Sequence, residues 1–384
     1  MAEILSGKKI LILYTAHTVG HQRVAENIGW WLSHGGAQVV LREVLKSDPS
    51  PLVKKFLKVH VWVNEHAPWL WAFLYAWGFW IVMMPFRLLA ANFQKGEIVK
   101  LLAQEKPDMV ITTQTAPSAV MSVLKRQRVY SGIWGIAFSD YHFHRAWVYP
   151  RADFYLPNIV EQISSLLRLG VKSENMFRIG LALPPLAEAS GKKIRTVLGI
   201  PENAKVVLVG SGTLGVRLPS ELYELLDQVR AEGTRVGLDV WTIVACGRSE
   251  SLYAAIMEQA ISRPWLKPIG FYEPMAELYA TSNLMLSKPG GLTIAETLQR
   301  NLPVFVTHYL PGQEKLNIEF LVAQNAIVSL CNEPVADWAN FIVKELADGS
   351  RHTYLVSHSA IKKLVDPSEL VRFSDYIAQL FHRK

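Results

Sequence analysis

Two cysteines in 384 residues, Cys246 and Cys331, exclude a disulfide framework and a cysteine-built metal cluster. Both lie in apolar, strand-like surroundings and read as inert core thiols, compatible with a reducing cytoplasm. No Asp-x-Asp pair occurs, which fits a site that works without a metal. Nothing at the N-terminus reads as a signal peptide, because Met1 to Ser6 is short and Lys8-Lys9 leads straight into a strand. No repeat with a solenoid period and no low-complexity tract is present. From Ala67 to Phe86 there is no Asp, Glu, Lys or Arg at all.

Half of the residues are hydrophobic, ample for globular packing, and 384 residues are too many for one core. Two domains are therefore expected. The net charge is +7 and the pI about 9.2. That balance suits anionic lipid, nucleic acid or phosphorylated substrates without choosing among them.

The pattern along the chain is α/β. Lys9 to Tyr14 reads as a first parallel strand, Thr15 to His21 as the loop after it, and Gln22 to about Ser33 as a helix stopped by Gly35-Gly36. Ala37 to Val44 gives a second strand. Further strands are expected at Asp108–Gln114, Ile133–Phe138, Phe154–Pro157 and Met176–Ile179, with a helix from Ala116 to Gln127. In such folds ligands sit at the carboxyl ends of the strands, which places His21 and Asp140 where a site belongs. His21 is a candidate general base, or simply a capping residue. Asp140 is a candidate to orient it and raise its basicity, or a turn cap.

Gly180 to Ala189 is rich in proline and poor in charge, and reads as a linker. The expected boundaries are a first domain over 1–180, the linker over 181–189, a second domain over 190–365, and a last helix over 366–384 that packs back on the first domain. In the second half Lys205–Val209, Val240–Cys246, Leu266–Ile269, Asn283–Leu286 and Pro303–Val306 read as strands. Helices are expected at Ile194–Leu198, Thr293–Arg300, Pro334–Leu346, Tyr354–Leu364 and Ser368–Phe381.

Two glycine turns open helices here, Gly210-Ser211-Gly212-Thr213-Leu214-Gly215 and Pro289-Gly290-Gly291. Each would leave backbone N–H groups and a positive helix end facing outward, as a phosphate needs. Glu296 falls in the first turns of the second helix, where its carboxylate can accept from a ribose diol. Pro311-Gly312-Gln313-Glu314 puts an amide and a carboxylate on a loop where they could grip sugar hydroxyls.

The segment 51–94 is unusual. Trp62, Trp69, Trp71, Trp77 and Trp80 are five of the twelve tryptophans of the chain. A transmembrane helix, a core helix pair and a membrane-interface segment all remain open. Pro68, Gly78 and Pro85 speak against a span. The interface reading fits best, with Trp at headgroup level and Lys54, Lys55, Lys58 and Arg87 meeting anionic lipid.

Lys288-Pro289-Gly290-Gly291-Leu292-Thr293, Glu296 and Pro311-Gly312-Gln313-Glu314 with Asn317 closely resemble the donor-binding segment of the processive diacylglycerol glucosyltransferases and monogalactosyldiacylglycerol synthases. These belong to glycosyltransferase family 28 and are relatives of the enzyme that forms lipid II. Gly20-His21 resembles the end of that family's glycine-rich loop, although Thr18 and Val19 stand where it has glycines. Asp140 to Trp147 resembles its Asp-x-x-x-His-x-x-Trp stretch, with His144 and Trp147 in register.

The resemblance implies a GT-B fold, two Rossmann-like domains facing each other across a cleft. It implies an inverting transfer of glucose or galactose from a UDP-sugar, a substrate rather than a cofactor, to diacylglycerol. His21 with Asp140 would be catalytic. Ser211, Gly212, Thr213, Phe271, Met275, Lys288, Gly290, Gly291, Leu292, Thr293, Glu296, Gln313 and Glu314 would bind the UDP-sugar. Trp69, Trp71, Trp77, Trp80 and His144 would serve acceptor and membrane. No metal, no cofactor and no nucleic acid is implied, and the protein would sit peripherally on the cytoplasmic face of the membrane. Transfer of N-acetylglucosamine to a polyprenyl-linked lipid, a UDP-sugar epimerase, and a non-catalytic UDP-sugar-binding protein docked on the membrane stay open as alternatives.

Overall fold

A computed structural model describes residues 4–15, 19–44, 79–186, 188–210, 221–309, 313–331, 333–357, 364 and 367–383. The chain forms two compact units. Unit 1 comprises Met1–Pro185, Leu310–Asn317 and Lys363–Lys384, and unit 2 comprises Leu186–Tyr309 and Ile318–Lys362.

Unit 1 is built on five short apolar runs. β1 (Lys9–Tyr14), β2 (Gln38–Glu43), β3 (Met109–Thr112), β4 (Ile133–Ala137) and β5 (Phe154–Leu156) form a sheet in the order β2-β1-β3-β4-β5. Every pairing is parallel. β3, β4 and β5 are buried along their whole lengths, as parallel strands covered on both faces are. Gly135 has no room for a Cβ, which would stand 2.1 Å from the Phe154 ring, so the glycine lets the neighbouring aromatic lie flat on β4.

The helices of unit 1 are α1 (Val19–His34), α2 (Phe79–Glu105), α3 (Thr115–Arg126) and α4 (Val160–Arg168). α1 begins at Val19, three residues before the expected Gln22, so Gly20 and His21 occupy its first turn rather than a loop. α4 has no counterpart in the sequence reading. Met176–Ile179, expected as a strand, forms an isolated bridge from Met176 to Tyr155, with the Phe177 and Ile179 N–H groups donating to the Tyr155 and Pro157 carbonyls. The core gathers Leu11, Leu13, Val110, Val120, Leu124, Trp134, Ile136 and Tyr155 between sheet and helices.

Unit 2 has six parallel strands: β6 (Lys205–Gly210), β7 (Val240–Ala245), β8 (Leu266–Ile269), β9 (Leu284–Ser287), β10 (Val304–Val306) and β11 (Val328–Ser329). Their order is β11-β10-β9-β6-β7-β8. The helices are α5 (Lys192–Leu198), α6 (Glu221–Arg235), α7 (Glu250–Ser262), α8 (Met275–Thr281) and α9 (Gly291–Gln299). α10 (Gln313–Ala323), whose residues up to Asn317 belong to unit 1, α11 (Val335–Asp348) and α12 (Ser350–Ser357) follow. The core lies between β6, β7 and β9 and the helices α6 and α11. Cys246 is fully buried there and burial pushes its thiol up to about 11, whereas Cys331, expected in the core, is only half-buried.

The segment expected as one helix over Ser368–Phe381 is two pieces of unit 1, α13 (Pro367–Leu370) and α14 (Phe373–His382). Tyr376 and Phe373 of α14 pack on Phe177, with ring centroids 5.1 and 5.5 Å away.

Candidate functional site

The carboxyl edge of the unit 1 sheet collects the polar residues of this unit. The strand order reverses between β1 and β3, which run outward from the centre on either side, and open α/β sheets bind ligands at such a point. His21, in the first turn of α1, is held against the end of β3, where the Thr113 hydroxyl donates to its backbone carbonyl at 3.0 Å. Its ring lies 6.2 Å from that of Trp147. Close packing shields Nδ1, which has no hydrogen-bond partner among the described residues.

Desolvation is the largest influence on this imidazole and holds its pKa below the ordinary 6.5. The nearby Asp140 charge and a hydrogen bond with the Thr113 backbone oppose that shift without cancelling it. The ring is therefore neutral at pH 7, with a lone pair to receive a proton.

Asp140 follows β4 and is placed by three residues: Asn158 and Gln162, which the sequence did not single out, and Asn317, which the resemblance put in the donor-binding segment. Asn158, wholly buried after β5, donates to the carbonyls of Phe138 (3.1 Å) and Asp140 (2.9 Å). Gln162 of α4, also wholly buried, donates to the carbonyls of Asp140 (2.8 Å) and His142 (2.9 Å), while its Oε1 accepts from the Asn158 N–H at 2.7 Å. Asn317, whose stretch 310–317 belongs to unit 1, donates from Nδ2 to Asp140 Oδ1 at 3.2 Å and accepts the Tyr141 N–H at 3.3 Å. Buried amides like these are tolerated only when bonded, so they lock the backbone they bond. His144 is partly buried beside this loop, and its carbonyl accepts the Trp147 N–H.

Arg87 on α2 does not have a head free for lipid, contrary to expectation. It is half-buried, and Nη2 donates to the Tyr149 hydroxyl at 2.7 Å and to the Thr115 carbonyl at 3.2 Å. Trp69, Trp71 and Trp77 lie outside the described residues, and Trp80 is on α2 without a described side chain. No described helix is long and apolar enough to cross a membrane.

In unit 2 the turn from β9 into α9 is built from Ser287 to Gly291. Gly210 on β6 pairs with Ser287 and has no space for a Cβ, which would meet the Met285 methyl at 2.5 Å. At the helix start Gly290 takes the N-cap position with no side-chain cap, and open space surrounds it apart from Thr293 Oγ1. The first N–H groups of α9 are thus uncapped by side chains, the arrangement that receives an anion. Leu292 and Thr293 are half-buried in its first turn and Lys288 precedes it.

Glu296 stands one turn further on, and its Oε2 accepts from the Tyr279 hydroxyl at 2.8 Å, which fixes the carboxylate. Phe271, weighed as a core residue, is 46% exposed, with the Arg248 guanidinium 4.5 Å above its ring. Met275 opens α8 and is half-buried.

Ser211, Gly212 and Thr213 lie outside the described residues. Gln313 and Glu314 were expected on a loop; they form the first turn of α10, with the Gln313 side chain undescribed.

The family model for monogalactosyldiacylglycerol (MGDG) synthase matches residues 21–183, from His21 to the end of the first α/β run. Residues 21–183 are thus similar to the monogalactosyldiacylglycerol synthases. It is also 24% identical over 330 residues to a processive diacylglycerol beta-glucosyltransferase of Bacillus cereus, covering 85% of this chain and 82% of that one. A second such relative, from Staphylococcus carnosus, is 28% identical over 232 residues, 59% of this chain, and the match spans only 56% of that protein. The crystal structure of Acinetobacter baumannii MurG superposes with a TM-score of 0.59 at 16% identity, covering 98% of this chain and all of that one. The fold is GT-B, two parallel-sheet α/β domains. The span matched to the synthases holds His21, Asp140, Asn158 and Gln162.

Proposed function

We propose that the protein is a UDP-sugar-dependent glycosyltransferase that moves a hexose to the hydroxyl of diacylglycerol. The observation that carries this reading is His21. Its ring is kept neutral by desolvation, its Nδ1 is unpartnered among the described residues, and it stands at the strand-reversal edge within the synthase-matched span.

In the reaction the lipid hydroxyl gives its proton to His21 as its oxygen bonds the sugar C1. The bond from C1 to the diphosphate breaks and UDP departs with the electron pair. The charge that develops on UDP falls to the N-terminus of α9 and to Lys288. Glu296, held by Tyr279, accepts from the ribose, and Phe271 and Met275 flank the base. Asp140 favours the imidazolium that forms. Inversion at C1 follows the family resemblance. We also place the protein peripherally on an anionic membrane surface at the cytoplasmic face, through the Trp-rich segment 51–78 and α2.

The test is turnover of UDP-glucose and UDP-galactose with dioleoylglycerol in mixed micelles, followed by lipid chromatography. A new glycolipid supports the reading and identifies the sugar. Release of UDP that does not depend on diacylglycerol overturns the assigned acceptor.

A further inference from the structure

Buried polar side chains in unit 1 divide into two groups. Those deeper in the sheet are satisfied: the Thr112 hydroxyl meets Ser118 Oγ at 2.9 Å and the Trp134 indole N–H at 3.1 Å, and Asn158 and Gln162 are fully bonded as described above. Several at the carboxyl rim are not, nor is the Tyr376 hydroxyl of α14. Thr15 Oγ1, Gln114 Oε1, Ser139 Oγ and His21 Nδ1 are each shielded from solvent without a partner among the described residues. Thr15 and Ser139 are 2% and 8% exposed. An unpaired buried polar atom costs on the order of 1–3 kcal/mol, so four at one rim need an explanation.

The register brings two of them together. Leu13 pairs with Thr112 and Thr112 with Ile136, so two steps further out Thr15 and Gln114 leave adjacent strands side by side, and Ser139 follows on the next strand, three steps beyond Ile136. The Thr113 bond holds His21 against the same edge.

We infer that Thr15, Gln114 and Ser139 form the seat for the glycerol ester end of the lipid acceptor and hold its free hydroxyl at His21. This rests on the glycosyltransferase reading and assigns positioning residues to its acceptor side. The chemistry of the four groups names the ligand. Two hydroxyls can donate, while the Gln114 carbonyl oxygen and the neutral His21 nitrogen only accept. The Thr15 and Ser139 hydroxyls can donate to ester C=O groups, and the one O–H of a diacylglycerol can donate to His21, the match an acylglycerol offers. A phosphodiester offers acceptors alone and leaves Gln114 Oε1 and His21 unmatched.

Steady-state kinetics of Thr15→Val, Gln114→Met and Ser139→Ala test the seat, with dioleoylglycerol and UDP-glucose varied in turn. The expected result is an acceptor KM raised about tenfold per lost hydrogen bond, with the UDP-glucose KM unchanged. Calorimetric titration of the wild type and the variants with dihexanoylglycerol, without donor, gives the same ratio from binding alone. Thr15→Val is expected to melt no lower than the wild type, because its hydroxyl bonds no described residue.

An active wild type whose variants keep the acceptor KM and the dihexanoylglycerol affinity overturns the seat and leaves the transferase reading standing. A Thr15→Val protein that melts lower assigns that hydroxyl to the fold and removes it from the seat. A wild type that neither binds dihexanoylglycerol nor glycosylates dioleoylglycerol overturns the acceptor reading itself, and the seat with it.

Discussion

Gln162 and Asp140 meet across 2.8 Å, with the buried amide of one donating to the backbone carbonyl of the other. The same amide reaches His142, and its oxygen takes the Asn158 N–H. Gln162→Ala strands the His142 carbonyl and the Asn158 N–H and leaves the Asp140 carbonyl to Asn158 alone, so it should lower unfolding stability by about 2–3 kcal/mol in urea titrations. Acceptor turnover should fall with it. A loss within about 0.5 kcal/mol would mean that the loop is held by something else.

His21 sets a pH dependence with a defined sign. Its folded pKa lies below the ordinary 6.5 because of desolvation, so the acid limb of kcat/KM should lie below pH 6.5. Protonation favours the unfolded chain, so this group contributes a loss of stability as the pH falls below about 6.5. Asp140 raises the His21 pKa, and Asp140→Asn removes that influence. The limb should move further down in pH while kcat falls, and a limb that moved up would contradict the assigned coupling. His21→Ala should remove transfer yet leave UDP affinity intact.

Glu296 and Tyr279 share one hydrogen bond, and they should separate in their effect on UDP. Glu296→Ala removes a charged acceptor and should weaken UDP binding by on the order of tenfold to a hundredfold in calorimetry. Tyr279→Phe keeps the carboxylate and frees its rotation, so its effect should be smaller. Equal affinities for wild type and Glu296→Ala would take the ribose contact away from this residue.

The leaving diphosphate is assigned to backbone N–H groups at Gly291 and to Lys288. Turnover in excess EDTA should therefore stay within about twofold of the untreated rate, since preorganised dipoles need no ion. A collapse on chelation that magnesium reverses would point to a metal-held diphosphate instead.

Membrane docking is assigned to the Trp-rich segment. Replacing Trp71, Trp77 and Trp80 together by Ser should abolish sedimentation with vesicles containing phosphatidylglycerol. UDP affinity should remain. Loss of the folded state in that variant would assign these rings to a core.

What the sequence carried and what it hid differ in kind. β1, β7, β8 and β10 are short apolar runs bounded by Gly, Pro or charge, and those signals sit in the chain itself. The positions of His21 and Asp140 followed from the rule that parallel strands carry function at their carboxyl ends. The residues that hold Asp140 have no such signature. Asn158, Gln162 and Asn317 are buried amides bonded 18, 22 and 177 residues away from Asp140, and no periodicity marks a long-range hydrogen bond. A glutamine at the third position of α4 reaching back to an N–H just before the helix resembles a capping box, the one local hint that was present. Met176–Ile179 has the apolar character of a strand, yet it makes only two backbone bonds, from Phe177 and Ile179 to Tyr155 and Pro157, and a single bridge. Arg87 looked like a lipid contact because a sequence cannot show that Tyr149 is waiting for it.

Unit 1 is stitched from three separate stretches of chain, and this bears on how the protein can be cut. A fragment ending at Pro185 keeps His21, Asp140 and all five strands but loses Asn317 from Asp140 and the Phe373 and Tyr376 rings from Phe177. Unit 1 is thus not a detachable N-terminal module. During synthesis unit 1 is completed only when residue 376 and its neighbours have left the ribosome, after every described strand of unit 2 has been made.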